Sequence, residues 1–231
     1  MFLPSPPDRE FLRCMRQVIA SIDQYFQEVE LSTGGGLAHD TDLARIPHAE
    51  WVPYCMQEYG GDLNGRLLRW ETRPGQVPAV SGQINLLPLP EIYRDWEGML
   101  YFDFDSPERR ARFQTFKIVD FFANEACVGL YHDERADPAL YLYTFEDEPE
   151  PLGVDIRGYL HLLTQSLGFP YWQYLLVELF QHRGQAQSFA PQRGTVSGNM
   201  ATEFVEGMSA LLPTFNLAAF TALYEQVRLP Q

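Results

Sequence analysis

The sequence predicts an α+β fold. Three observations carry that expectation. Six apolar, aromatic-rich runs of strand length fall between residues 67 and 145. The joins between them are mostly too short for crossover helices, which favours antiparallel pairing. Apolar residues at helical spacing occupy both ends of the chain. The expected architecture is one domain over 1–231, with a mixed, largely antiparallel sheet flanked by helices.

Taken in order, Ser5-Pro6-Pro7-Asp8 reads as a helix start, with Ser5 as cap and proline tolerated in the first turn. Phe11, Leu12, Met15, Val18, Ile19, Ile22 and Phe26 recur at helical spacing. That helix is expected to run on and stop before Gly34-Gly35-Gly36, which cost too much backbone entropy to stay helical. Residues 1–45 thus form an N-terminal helix and a glycine-rich linker. A shorter helical segment follows, broken at Pro47 and Pro53 and closed by Gly60-Gly61. The strand-like runs are LLRW (67–70), QINLLP (83–88), MLYFDFD (99–105), FKIVDFF (116–122), ACVGLYH (126–132) and ALYLYTF (139–145). Tyr, Phe, Val and Ile are enriched in them, and Gly, Pro and Asp punctuate the joins. Asp155 then caps a helix carrying Ile156, Tyr159, Leu160, Leu163 and Leu167, which Gly168 ends. Pro170 opens the next helix, with Trp172, Leu175, Leu176, Leu179 and Phe180 on one face. Two last helices carry Phe204, Met208, Leu211 and Leu212, then Leu217, Phe220, Tyr224 and Val227. Residues 164–231 read as a helical extension.

The composition narrows the choice of partner. At 45% hydrophobic and 14% aromatic, the chain can bury a large core. It carries 31 acidic against 17 basic residues, a net charge of −14, and Lys117 is its only lysine. Nucleic-acid backbones and anionic membranes would be repelled by such a surface. A basic protein would be attracted. Cys14, Cys55 and Cys127 form no CxxC pair, so a zinc knuckle or a redox motif is not expected. Buried free thiols fit a reducing cytoplasm. The opening MFLPSPPDREFLRCMRQ lacks a basic segment followed by an apolar run, and no stretch approaches the ~18 apolar residues of a membrane span. The expected location is cytoplasmic.

The strongest local feature is an acidic seam. Ten carboxylates lie between Asp120 and Asp155, with Arg135 the one cation among them. The expected contact residues are Asp133, Glu134, Asp137, Glu146, Asp147, Glu148 and Glu150, at two strand ends whose fields would add. Glu146-Asp147-Glu148 before Pro149 reads as an exposed turn, which keeps carboxyls ionised and unsuited to general-acid work. Asp103 and Asp105 are better placed for catalysis, since both would point to one face of an aromatic strand. His132 with Asp133 and Asp137 gives a fragment of a metal site, but the other histidines are scattered and no calcium-loop glycine is present. Ser81 lacks the leading glycine of a nucleophile elbow, and Cys127 sits in an apolar strand that deactivates a thiol. No cofactor or metal is expected.

The order of segments resembles the SUKH superfamily, which contains bacterial toxin-immunity proteins and fungal cell-wall assembly regulators of the Smi/Knr type. IPHAEWVPYCMQEYGG (46–61) is similar to that family's Leu-Pro…Tyr…Phe-Leu…Asn-Gly-Gly stretch, with Ile46 in place of Leu. INLLPLPEIY (84–93) resembles its strand-plus-turn segment, and residues 116–163 look like its closing unit of two strands and a short amphipathic helix. Gly158-Tyr159-Leu160 stands in the helix slot. The resemblance implies a SUKH-like core over 46–163 and a binding scaffold without catalytic residues. The expected function is therefore non-enzymatic: an immunity-type protein that neutralises a basic toxin or nuclease through an acidic face. The alternative is a small cytosolic hydrolase, carboxylate- or metal-dependent, that uses Asp103, Asp105 or His132.

Overall fold

A computed structural model describes residues 6–33, 66–87, 89–133, 137–183 and 189–230 of the chain. The segment 46–61, with Trp51, Cys55 and the Gly34–Gly36 stop, lies outside the described residues. The first helix, α1, spans Pro6–Tyr25. It buries Cys14, Met15, Val18 and Ile22, the stripe expected from 3.6-residue spacing. It ends earlier than its periodicity suggests. Phe26–Thr33 is a strand, β1, which pairs antiparallel with β2, Arg66–Thr72. FQEVELST carries β-branched Val29 and Thr33 in an alternating pattern, and the partner strand decides in favour of the sheet. Phe26 is buried at the corner, stacked on Trp70 with ring centroids 4.1 Å apart.

The sheet continues through β3 (Ser81–Leu86), β4 (Phe116–Ala123), β5 (Ala126–Tyr131), β6 (Leu140–Tyr143) and β7 (Glu150–Pro151). Strand order follows chain order, and every pairing among these strands is antiparallel. The fold is α+β. Of the expected strands, MLYFDFD does not form. Residues 99–105 are turns, because Gly98 takes a φ of 81° and the Asp105 carboxylate accepts the Phe102 N–H at 2.8 Å, which closes the chain on itself. A short helix α2 (Leu89–Ile92) precedes these turns, and α3 (Pro107–Thr115) follows them. Ser106 caps α3, with Pro107 just inside its start.

The alternation of β5 and β6 divides the protein into layers. Val128, Leu130, Leu140 and Leu142 face a core that reaches from α1 to the C-terminal helices. Those helices are α4 (Ile156–Ser166), α5 (Gln173–Gln181), α6 (Val196–Leu211) and α7 (Leu217–Val227). Asp155 caps α4 by accepting the Gly158 N–H at 2.8 Å, as its position in the sequence predicts. Residues after 164, read from the sequence as an extension, supply Trp172, Leu176, Phe204 and Phe220 to this same core. On the opposite face Phe116, Ile118, Cys127 and Tyr143 meet Trp96, Leu100, Tyr101 and Phe113 from the turns and α3.

One join in the sheet is unusual. β3 and β4 share a single register pair, Leu86 with Asp120, beside a bulge in β4. Side chains take over the pairing. Asp120 is 1% exposed and accepts the Asn85 N–H at 3.0 Å and the Tyr159 hydroxyl at 2.7 Å. Gln173 donates to the same Tyr159 oxygen at 3.0 Å. Asn85 and Gln83 amides donate to the Phe121 carbonyl at 3.0 and 3.3 Å. The turn between α4 and α5 fills the remaining gap: Gln83 donates its N–H to the Gly168 carbonyl, and the Trp70 indole donates to the Leu167 carbonyl. This chain of contacts fixes where α5 begins, and α5 lines the site described next.

Candidate functional site

In an up-and-down sheet, loops alternate between its two ends. The β4–β5 turn and the β6–β7 loop therefore share one end, and the β5–β6 connection lies at the other. This splits the acidic seam. Asp133 and Asp137 belong to the β5–β6 connection, and Glu134 lies outside the described residues. Glu146, Asp147 and Glu148 follow β6 at the opposite end, and Glu150 opens β7. The two groups are separated by the four residues of β6, roughly 13 Å of strand at ~3.3 Å per residue. That exceeds the ~8 Å Debye length at physiological salt, so screening weakens the addition of their fields.

The group at the β6–β7 end gains other carboxylates instead. Phe145 takes a left-handed φ of 65°, with its ring against Tyr143 and Phe121, and this turns Glu146, Asp147 and Glu148 out to solvent. Glu125, in the β4–β5 turn, accepts the Tyr171 hydroxyl. Glu150 is half-buried: burial pushes its carboxyl above the usual range, helped by Asp147 and Glu178. Tyr174 sits among these groups. Burial raises its pKa first, and the charges of Glu150, Asp147, Glu125 and Glu146 raise it further. Asp147, Glu148, Glu150 and Tyr174 line a cleft of about 560 Å³ with Thr195 and Ser197, and Glu125 and Glu146 lie outside its walls but near enough to act on Tyr174. Glu178 stands behind the wall, 5% exposed, and accepts the Ser197 hydroxyl at 2.6 Å. Thr195 caps α6 there, so the N-terminus of that helix opens on the cleft. Arg112 of α3 bonds Glu148 and the Tyr131 hydroxyl and offsets one charge of the loop.

The chemistry this permits is the capture of cations. The cleft offers carboxylate oxygens, hydroxyls and an aromatic ring, the groups that receive lysine and arginine side chains. Glu125 and Glu178 are missing from the contact residues expected from sequence. Loop parity would have found Glu125, since an antiparallel meander puts its turn beside the β6–β7 loop. Glu178 had no signal, because its approach depends on how α5 packs.

The other half of the seam faces a different environment. Asp137 accepts the Ala139 N–H at 2.9 Å and the Tyr141 hydroxyl at 3.3 Å. It borders a cavity of about 260 Å³ that also contains Arg183 and Arg228. Asp137 is thus tied to its own loop and to Tyr141, beside a cavity that it shares with two arginines.

The residues of the hydrolase alternative are held by separate contacts. Asp105 braces the turn and lies 3.6 Å from Arg109, whereas Asp103 stands in solvent 3.8 Å from Arg110. They do not share a strand face, because no strand forms there. His132 is buried at the end of β5, where its N–H donates to the Thr115 carbonyl at 2.7 Å and its ring meets Tyr93 edge-on. Cys127 is fully buried, and burial raises its thiol pKa well above the ordinary value, as the apolar strand predicts. No group of three or more His, Cys, Asp or Glu that could hold a metal ion occurs among the described residues. None of the described helices is long and apolar enough to cross a membrane. The chain matches no family model, no curated protein and no solved structure with which it was compared.

Proposed function

We propose that the protein is a non-enzymatic binding module that receives a basic protein partner at the β6–β7 end of its sheet. The resemblance to SUKH immunity proteins makes a toxin, and in particular a basic nuclease, the partner class to test. One observation carries the reading: Glu125, Glu146, Asp147 and Glu150 all bear on Tyr174 beside a cleft of about 560 Å³. Like charges are gathered there at a cost in self-repulsion, and an arriving cation relieves it. Charge of this kind acts mainly on the rate of encounter and on partner choice.

The test is affinity capture from the native host at low and high salt, with the retained proteins identified. A basic protein held at low salt and released at high salt is expected. Its retention should fall when Glu146→Lys and Asp147→Lys are combined. Salt-independent capture of a partner that ignores these substitutions would overturn the reading.

A further inference from the structure

Five large apolar side chains are exposed among the described residues, and Met99, Phe102 and Phe104 are three of them. Phe104 is 83% exposed and lies stacked on Phe102, with centroids 5.1 Å apart and planes 8° from parallel. The loop that presents them is well anchored. Trp96, Leu100 and Tyr101 are buried beneath it, and the Trp96 indole donates to the Ile92 carbonyl. Gly98 N–H donates to the Tyr101 carbonyl at 2.8 Å, Asp105 N–H to the Phe102 carbonyl at 3.0 Å, and the Tyr101 hydroxyl to Asp95. A projecting aromatic pair on a braced loop has little conformational entropy left to lose on binding.

We propose that the Phe102–Phe104 knuckle inserts into an apolar pocket rimmed by arginine or lysine on the protein partner. This rests on the reading of a basic protein partner and names the contact that anchors it. Charge complementarity selects the occupant. Asp103, the residue between the two phenylalanines in sequence, has its side chain 88% exposed, and Glu97 approaches it within hydrogen-bonding reach. The closeness of the two carboxyls raises the pKa of Glu97. A second copy of this chain would bring Asp103 against Asp103 between two bodies of charge −14. An anionic bilayer would meet the same repulsion. A basic rim instead pairs with Asp103 and Glu97 while the ring of Phe104 enters the pocket. The knuckle and the acidic loop flank one helix: Arg110 of α3 faces Asp103, and Arg112 bonds Glu148.

The test places the photo-reactive benzophenone analogue of phenylalanine at position 104 of the full chain in its native host. The cross-linked peptide is then identified by mass spectrometry. The expected product joins position 104 to an apolar residue bordered by Lys or Arg on a second protein. With that protein purified, Phe104→Ser should raise Kd by about 10- to 100-fold without lowering the melting temperature, as for an exposed anchor residue. Asp103→Lys should weaken binding too. A cross-linked homodimer, binding of phosphatidylcholine or phosphatidylserine vesicles through Phe104, or an unchanged Kd for Phe104→Ser would overturn the proposal. If Glu146→Lys with Asp147→Lys weakens binding and Phe104→Ser does not, the knuckle fails alone and the acidic cleft stands.

Discussion

Asp120 makes pH a direct probe of the join between β3 and β4. Burial pushes its carboxyl from 3.8 up to about 6, against the opposing effects of the Tyr159 hydroxyl and the Asn85 N–H. In an unfolded chain such a group titrates near 3.9. Between those two values the folded protein keeps a proton that the unfolded chain has released. Stability from this group is therefore complete below about pH 4 and is lost as pH rises through about 6. Near pH 5, one unit below the folded value, the gain over neutral pH is about 1.4 kcal/mol. Asp120→Asn has nearly the same volume and keeps an acceptor for Asn85, but has no proton to gain. Urea unfolding of both proteins near pH 5 and near pH 7.5 gives two pH increments, and the parent's should exceed the variant's by about 1.4 kcal/mol. Other raised carboxyls, such as Glu150, are present in both proteins and cancel in the difference. Equal increments, or a larger one in the variant, would refute the placement of Asp120 as a buried, proton-binding link in the sheet.

Further predictions concern parts that position the site. A Cβ at Gly82 would lie 2.3 Å from the Trp70 indole, so Gly82→Ala should lower stability by about 1–3 kcal/mol in urea unfolding. Asp155→Ala removes the cap of α4 and should cost about 1 kcal/mol, and Asp155→Ser should restore most of it. Ser197→Ala takes away the hydroxyl that Glu178 accepts and should cost about 1–3 kcal/mol, read as a lower urea midpoint at neutral pH.

Much of the fold was legible in the sequence because local and long-range signals agree there. ACVGLY and LYLY are continuous apolar and aromatic runs, bounded by turn residues and flanked by strands; they pair antiparallel as expected. Asp155 and Gly168 bracket a helix that the core also favours. Phe26–Thr33 went the other way because β2 supplied a partner that helical periodicity does not register. MLYFDFD alternates as a strand would, but Asp105 accepts the Phe102 N–H and diverts the backbone into turns. The cap of α3, Ser106-Pro107-Glu108, was present in the sequence and is short enough to overlook between two aromatic runs. The acidic site was half legible. Glu146 to Glu150 stood out by composition, but the strand ends they share are a property of loop parity. Glu178 and Ser197 come together only through the packing of α5 against α6.

The central claim is that carboxylates at the β6–β7 end drive association with a basic protein. It is tested most directly by association rates with the captured partner, measured from about 50 to about 500 mM NaCl for the parent and for Glu146→Lys with Asp147→Lys. A steep fall with salt for the parent and a slower, flatter dependence for the variant are expected. Parallel salt dependences with equal rates would contradict the claim.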